Sequence, residues 1–212
     1  VRMRMFNADG SEGAMCGNAI RCVGKYVYDR GMVRRERVTV ETLGGIKELE
    51  LQVHKGKVDE VTVDMGIPKV ISSRVPEPIN IEGRDTEFVG ISVGNPHALY
   101  FREEIDSLDL ERMGPYYENH SRFPDRVNSE FVQVVDRGHI RMRVWERGSG
   151  ETLACGTGAC AAGVAAMLNG YTEDEVTVHL LGGDLKIQWD REENNVYMTG
   201  PAAIVFEGEI DV

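Results

Sequence analysis

Two segments of this 212-residue chain read as one pattern written twice. GSEGAMCGNAIRC runs from Gly10 to Cys22, and GSGETLACGTGAC runs from Gly148 to Cys160. Each opens on Gly-Ser, reaches Cys-Gly six or seven residues later, and carries a second cysteine six or five residues beyond the first. Strand-like sequence precedes each loop, while a helical pattern and then a run of strands follow it. A duplicated unit explains this order, so the chain is expected to build the same strand, small-residue loop, helix and strands twice.

The first helix is expected over 17 to 30, with Ala19, Ile20, Val23, Tyr26 and Val27 as its apolar stripe and Gly31 as its stop. Residues 37 to 65 read as three strands with turns at Gly44-Gly45 and around Lys55-Gly56-Lys57. Pro68, Pro76 and Pro78 break the stretch 66 to 86 and make it the expected domain boundary. Strands are expected at 87 to 94, 129 to 136 and 139 to 146, with a short helix inside 106 to 119. The alanine-rich second helix stops at Asn169-Gly170. Strands at 175 to 181, 184 to 190, 194 to 198 and 201 to 212 complete the reading. The opening VRMRMF alternates like a strand with no lead-in and no initiating Met, so the natural chain is expected to begin earlier.

A chain of this length buries roughly 70% of its unfolded surface and needs no disulfide to hold a core. The four cysteines therefore call for another explanation. Net charge is −11, which argues against nucleic acid or an anionic membrane surface as partner. Residues 1 to 37 carry eight basic against four acidic residues, read as a solvated helix face. No apolar run of about 18 residues and no secretory leader pattern is found, so a cytoplasmic location with reduced thiols is expected.

Cys16 and Cys155 each stand immediately before a helix, where the partial positive charge of the helix end is expected to lower the thiol pKa. The backbone amides of Gly17, Asn18, Gly156 and Thr157 follow them and suit a carboxylate or a phosphate. Cys22 and Cys160 read as packing residues inside the helices. No metal is expected, since neither cysteine pair has the C-x2-C spacing of a zinc knuckle and no histidine lies near either pair. Two equivalent thiols at anion-binding helix ends suit inversion of a carbon α to a carboxylate. That reaction needs a base on one face, an acid on the other, and donors for the negative charge that develops.

FNADGSEGAMCGNAIRC (Phe6 to Cys22) and WERGSGETLACGTGACA (Trp145 to Ala161) resemble the two signature segments of the diaminopimelate epimerase family. GNPH at Gly94 to His97, RVNSEF at Arg126 to Phe131 and the terminal GPAAIVFEG fall in the family's order. The resemblance implies interconversion of LL- and meso-2,6-diaminopimelate without pyridoxal phosphate, metal or other cofactor, on the route to lysine and peptidoglycan. It implies that Cys16 and Cys155 are the acid/base pair and that His97 and Glu146 tune their protonation. The implied substrate contacts are Asn7, Gly17, Asn18, Asn95, Asn128, Glu146, Arg147, Gly156 and Thr157. The partner is then a small amino acid, with a second copy of the chain as a further candidate.

The implied fold is α+β: two pseudo-symmetric domains, each a curved mixed sheet wrapped around a central helix, the first lacking an upstream segment that carries a Gly-Asn-Asp-Phe motif. The expected domains are 1–66 with 200–212, and 67–199. Proline or hydroxyproline racemases share the fold and the paired cysteines. Their residue two places after the first cysteine is usually histidine, where Asn18 stands here. Outside the enzymes, a thiol redox sensor or a non-catalytic carboxylate-binding protein is the alternative.

Overall fold

The computed structural model describes residues 1–6, 10 and 12–209. In chain order the elements are α1 (Gly17–Asp29), β1 (Arg37–Thr42), β2 (Gly45–His54), β3 (Lys57–Gly66), β4 (Lys69–Val70), β5 (Glu77–Ile81), β6 (Arg84–Ser92), β7 (Pro96–Phe101), α2 (Leu110–Glu118), β8 (Asn128–Asp136), β9 (His139–Glu146), β10 (Gly150–Thr152), α3 (Gly156–Leu168), β11 (Glu175–Leu180), β12 (Gly183–Asp190) and β13 (Asn195–Pro201). This is a sheet-rich α+β protein with mixed pairing: β7 runs parallel to β8 and β9 parallel to β11, while β6 and β7, and β8 and β9, run antiparallel. The chain divides into Val1–Val63 with Thr199–Val212, and Asp64–Met198.

In the first unit β1, β2 and β3 form an antiparallel meander. Alternation along β1 buries Val38 and Val40, and β2 and β3 turn Leu49, Leu51 and Val61 inward under α1. Gly24 permits this approach, since a Cβ there would lie 2.8 Å from Leu49 Cδ2. The opening segment forms two isolated bridges, Arg2 to Glu41 and Phe6 to Glu12, rather than a strand. Beyond Pro201 the described residues up to 209 form no strand either, against the alternation read for 201 to 212. Residues 210–212 lie outside the described residues.

In the second unit the strand order is β13-β12-β11-β9-β8-β7-β6-β4, with β5 on β6 and β10 on β9. This sheet surrounds α3, eleven of whose thirteen residues are buried. A helix apolar on every side must be enclosed, and the glycines and alanines of α3 let the strands come close. A Cβ at Gly163 would lie 3.0 Å from Ile187 Cγ2. Outside the sheet, α2 covers an aromatic cluster that includes Phe88, Tyr100, Phe123, Phe131 and Trp145.

The repeat is visible in detail. Both long helices have thirteen residues and both begin directly after a cysteine. Both end on a glycine of positive φ, Gly31 at +71° and Gly170 at +70°. Gly24 and Gly163, each eight residues after the cysteine, meet strand side chains. The hairpins after the helices match as well: β1 and β2 pair from Arg37–Glu50 to Thr42–Gly45, and β11 and β12 from Glu175–Gln188 to Leu180–Gly183. Each turns through Leu-Gly-Gly, at 43–45 and 181–183.

The helices differ in their surroundings. On α1 only Gly17, Ile20, Arg21, Gly24 and Val27 are buried. Cys22 is exposed, which corrects its reading as a core residue: it lies on the face of α1 turned away from the meander. Cys160 is fully buried. Arg21 departs from the solvated face expected of the basic segment, being only 8% exposed.

Candidate active site

In the first unit Cys16 holds an extended backbone, φ −133° and ψ 118°, and its carbonyl accepts the first helical bond from Ile20 N–H at 3.0 Å. Its side chain makes no capping bond and is half-buried. Gly17 opens the helix. Arg21, one turn on, donates from Nη1 to Gly17 O at 3.1 Å and Asn18 Oδ1 at 3.3 Å, and from Nε to Pro201 O at 3.3 Å. A buried guanidinium thereby orients the Asn18 side chain, a role that sequence reasoning missed. Asn7 lies outside the described residues.

In the second unit Cys155 repeats the backbone, φ −122° and ψ 110°, with its carbonyl bonded to Ala159 N–H at 2.9 Å. Here the sulfur is buried and caps the helix. Gly158 N–H donates to Sγ at 3.4 Å, and Thr157 Oγ1 lies 3.5 Å from it. The expected lowering of the thiol pKa is reversed at this position. Burial pushes Cys155 up, the carboxylate of Glu146 pushes it further, and the bonds from Thr157 and Gly158 offset only part of this. Cys155 therefore rests as a thiol.

Glu146 ends β9, and its Oε1 accepts from Thr152 Oγ1 on the adjoining β10. The next residue, Arg147, is exposed; its backbone N–H donates to Asn128 Oδ1 at 2.9 Å and its Nη1 to Asp125 O at 3.0 Å. Asn128 also donates from Nδ2 to Pro96 O at 3.0 Å, so its amide joins the start of β7 to the Arg147 turn. Glu118 of α2 supports that turn from behind. It accepts from Gly148 N–H and Arg126 Nη1, each at 3.0 Å, and from Trp145 Nε1 at 2.7 Å.

His97 lies in β7 with no exposure. Its Nδ1 is 2.6 Å from Glu130 Oε1 and its Nε2 is 3.0 Å from Asn95 Oδ1. Glu130, in β8 beside His97, is fully buried, and burial raises its pKa. It approaches α3 so closely that a Cβ at Gly158 would fall 2.7 Å from Oε1, a point also 3.3 Å from Cys155 Sγ. The carboxyl and the sulfur are thus no more than about 6 Å apart. Within this unit Cys155 is linked to Thr157 and acted on by Glu146, His97 joins Asn95 to Glu130, and Asn128 joins Pro96 to the backbone of Arg147. Among the described residues, no group of three or more His, Cys, Asp or Glu is arranged to hold a metal ion.

The family model for diaminopimelate epimerase matches residues 1–71 and 89–205. The chain belongs to the diaminopimelate epimerase family. The diaminopimelate epimerase of Acetivibrio thermocellus is 55% identical over 221 residues, covering all of this chain and 79% of the relative. That of Desulfovibrio desulfuricans is 52% identical, covering 99% of this chain and 78% of the relative. Among solved structures, a phenazine biosynthesis protein of Bacillus anthracis superposes with a TM-score of 0.76 at 16% identity, over all of this chain and 80% of its own. That likeness extends the fold beyond the diaminopimelate epimerases.

The sequence reading of this epimerase missed Glu130, although RVNSEF contains it. The usable signal was an acidic residue at the head of an apolar strand, EFVQVV, where a charge is costly to bury. Glu118 and Thr152 gave no comparable signal, because their partners lie on other elements or across a turn, and Arg21 gave none because its burial depends on which face of α1 is covered.

Proposed function

We propose that this chain interconverts LL- and meso-2,6-diaminopimelate, with Cys16 and Cys155 as the two acid/base groups. The observation that supports the roles is the repeated helix start: a cysteine in extended conformation, a glycine, and thirteen helical residues, present once in each unit. One thiolate takes the α proton from one face of the carbon and the opposite thiol returns a proton to the other. The reverse reaction exchanges these duties, as a stereochemical inversion requires.

The negative charge that develops on the substrate carboxylate meets amides at helix ends, which lie outside the helical hydrogen-bond ladder. Gly17 with Asn18 and Gly156 with Thr157 supply those donors, and Arg147 offers a guanidinium fork to a carboxylate. Asn7 and Asn128 carry both donors and acceptors, which suits a zwitterionic amino acid, and the Asn95 amide adds a donor. Glu146 and His97 set the protonation of the thiols, and Glu146 does so for Cys155 by its charge. The enzyme is an isomerase of the cytoplasm acting on a small molecule.

In deuterated water a two-base epimerase places deuterium at the α carbon of diaminopimelate. Cys16→Ser and Cys155→Ser are each expected to cut epimerisation by about a thousandfold, the scale of a lost general acid or base. Near-full turnover in either variant would refute the assignment.

A further inference from the structure

The proton inventory of the buried His97–Glu130 pair is fixed by its neighbour. Asn95 Oδ1, 3.0 Å from His97 Nε2, can only accept, so Nε2 carries a hydrogen. Nδ1 lies 2.6 Å from Glu130 Oε1, close enough that a proton stands between them. Two arrangements meet both conditions: an imidazolium beside a carboxylate, or a neutral ring beside a carboxylic acid. Glu130 Oε2 decides between them, because it is buried and has no hydrogen-bond partner among the described residues. An ionised carboxylate would leave part of a full charge on that orphan oxygen, a far larger cost than an unpartnered carbonyl oxygen. Glu146 already stands near enough to act electrostatically on Glu130, and a second negative charge would oppose it.

We infer that Glu130 is a neutral carboxylic acid donating to His97 Nδ1, and that it thereby fixes the ring in the Nε2–H form that holds Asn95 Oδ1. Glu130 is a positioning residue in two respects. It leaves Asn95 to meet a ligand with its Nδ2 amine alone, a donor matched to a carboxylate. It also limits the ionised carboxylates near Cys155 to Glu146, although Glu130 itself stands within about 6 Å of the sulfur. The first consequence rests on the reading of Asn95 as a substrate contact; the tautomer does not.

The test is the ring 15N spectrum of His97 near neutral pH, in the full chain and in Glu130→Gln and Glu130→Leu. The wild-type ring is expected in the Nε2–H form. Gln, whose amide also donates to Nδ1, keeps that form, whereas Leu frees the ring. Kinetically, Leu raises KM for diaminopimelate about tenfold with a smaller fall in kcat, the scale of one lost hydrogen bond, and Gln recovers most of that loss. An Nδ1–H ring or an imidazolium in the wild type overturns the inference, and the wild-type and Gln spectra decide this even if Leu does not fold. An Nε2–H ring in a chain without epimerase activity supports the inference while removing the proposed function.

Discussion

Gly182 donates its backbone N–H to the carbonyl of Leu153 at 2.7 Å, two residues before Cys155. Gly44 does the same to Ala14 at 2.8 Å, two residues before Cys16. Each hairpin tip is thus clasped to the loop that presents a thiol, and in each the glycine leaves little room. A Cβ at Gly182 would lie 3.1 Å from Leu153 O, and one at Gly44 would lie 3.3 Å from Ala14 O. Gly182→Val and Gly44→Val are expected to push the cysteine loop away while the helix behind it persists. Activity should fall at least tenfold with circular dichroism unchanged. Equal activity would show that the clasp does not position the sulfur.

Glu146 is the carboxylate that acts most strongly on Cys155, after burial itself. Glu146→Gln removes one of the influences that raise the thiol, so Cys155 should ionise at lower pH than in the parent. Alkylation of the Cys155 peptide, followed by mass spectrometry across a pH series, reads this directly. Burial remains in the variant, so the profile should still lie above that of a free thiol. A profile displaced to higher pH would remove Glu146 from this role.

Glu118 serves three donors from a buried position, Gly148 in the turn that carries Arg147, Trp145 at the end of β9, and Arg126. Glu118→Leu would strand the Trp145 and Gly148 N–H groups. A loss of about 2–4 kcal/mol in denaturant unfolding is expected, together with a raised KM for diaminopimelate. Glu118→Gln, which still accepts, should lose less of both.

Glu77 on β5 is held at a pKa of about 2 by its ion pair and hydrogen bonds with Arg122, assisted by Ser73 N–H. Its ordinary value is 4.5. A depressed carboxyl stabilises the fold above the ordinary value and loses that contribution as pH falls toward the folded one. Unfolding free energy should therefore drop between about pH 4.5 and 2, by about 2 kcal/mol once solvent screening of Arg122 is allowed for. Glu77→Gln should flatten this part of the pH curve.

Much of the architecture was legible because its causes are local. A cysteine before a glycine, an alanine-rich run and Asn169-Gly170 are enough to place α3, and Gly44-Gly45 places the first hairpin. β7 was missed because it starts at a proline and lies between β6 and β8, buried on both faces, so PHALYF shows no alternation. The protonation of Cys155 was misjudged for a different reason. The helix end is visible in the sequence, but the burial that outweighs it comes from the surrounding strands, and the Glu146 carboxylate from the end of β9. Cys22 and Arg21 changed places for a similar reason: which face of α1 is covered depends on where the meander lies.

The enclosure of α3 makes Cys155 answerable to remote volume. From Gly156 to Met167 the helix runs roughly 17 Å, at 1.5 Å per residue, and all of it but Thr157 is buried among strands. It has no solvent face into which an added methyl could swell. An enlargement at Ala162 or Ala166 must be taken up by sliding the helix along its own axis or by parting the strands, and at its leading end stands the sulfur of Cys155. The alanines of α3 thus act as a gauge block for the thiol, and directed changes in their size are a means of adjusting its reach without altering any residue that touches it.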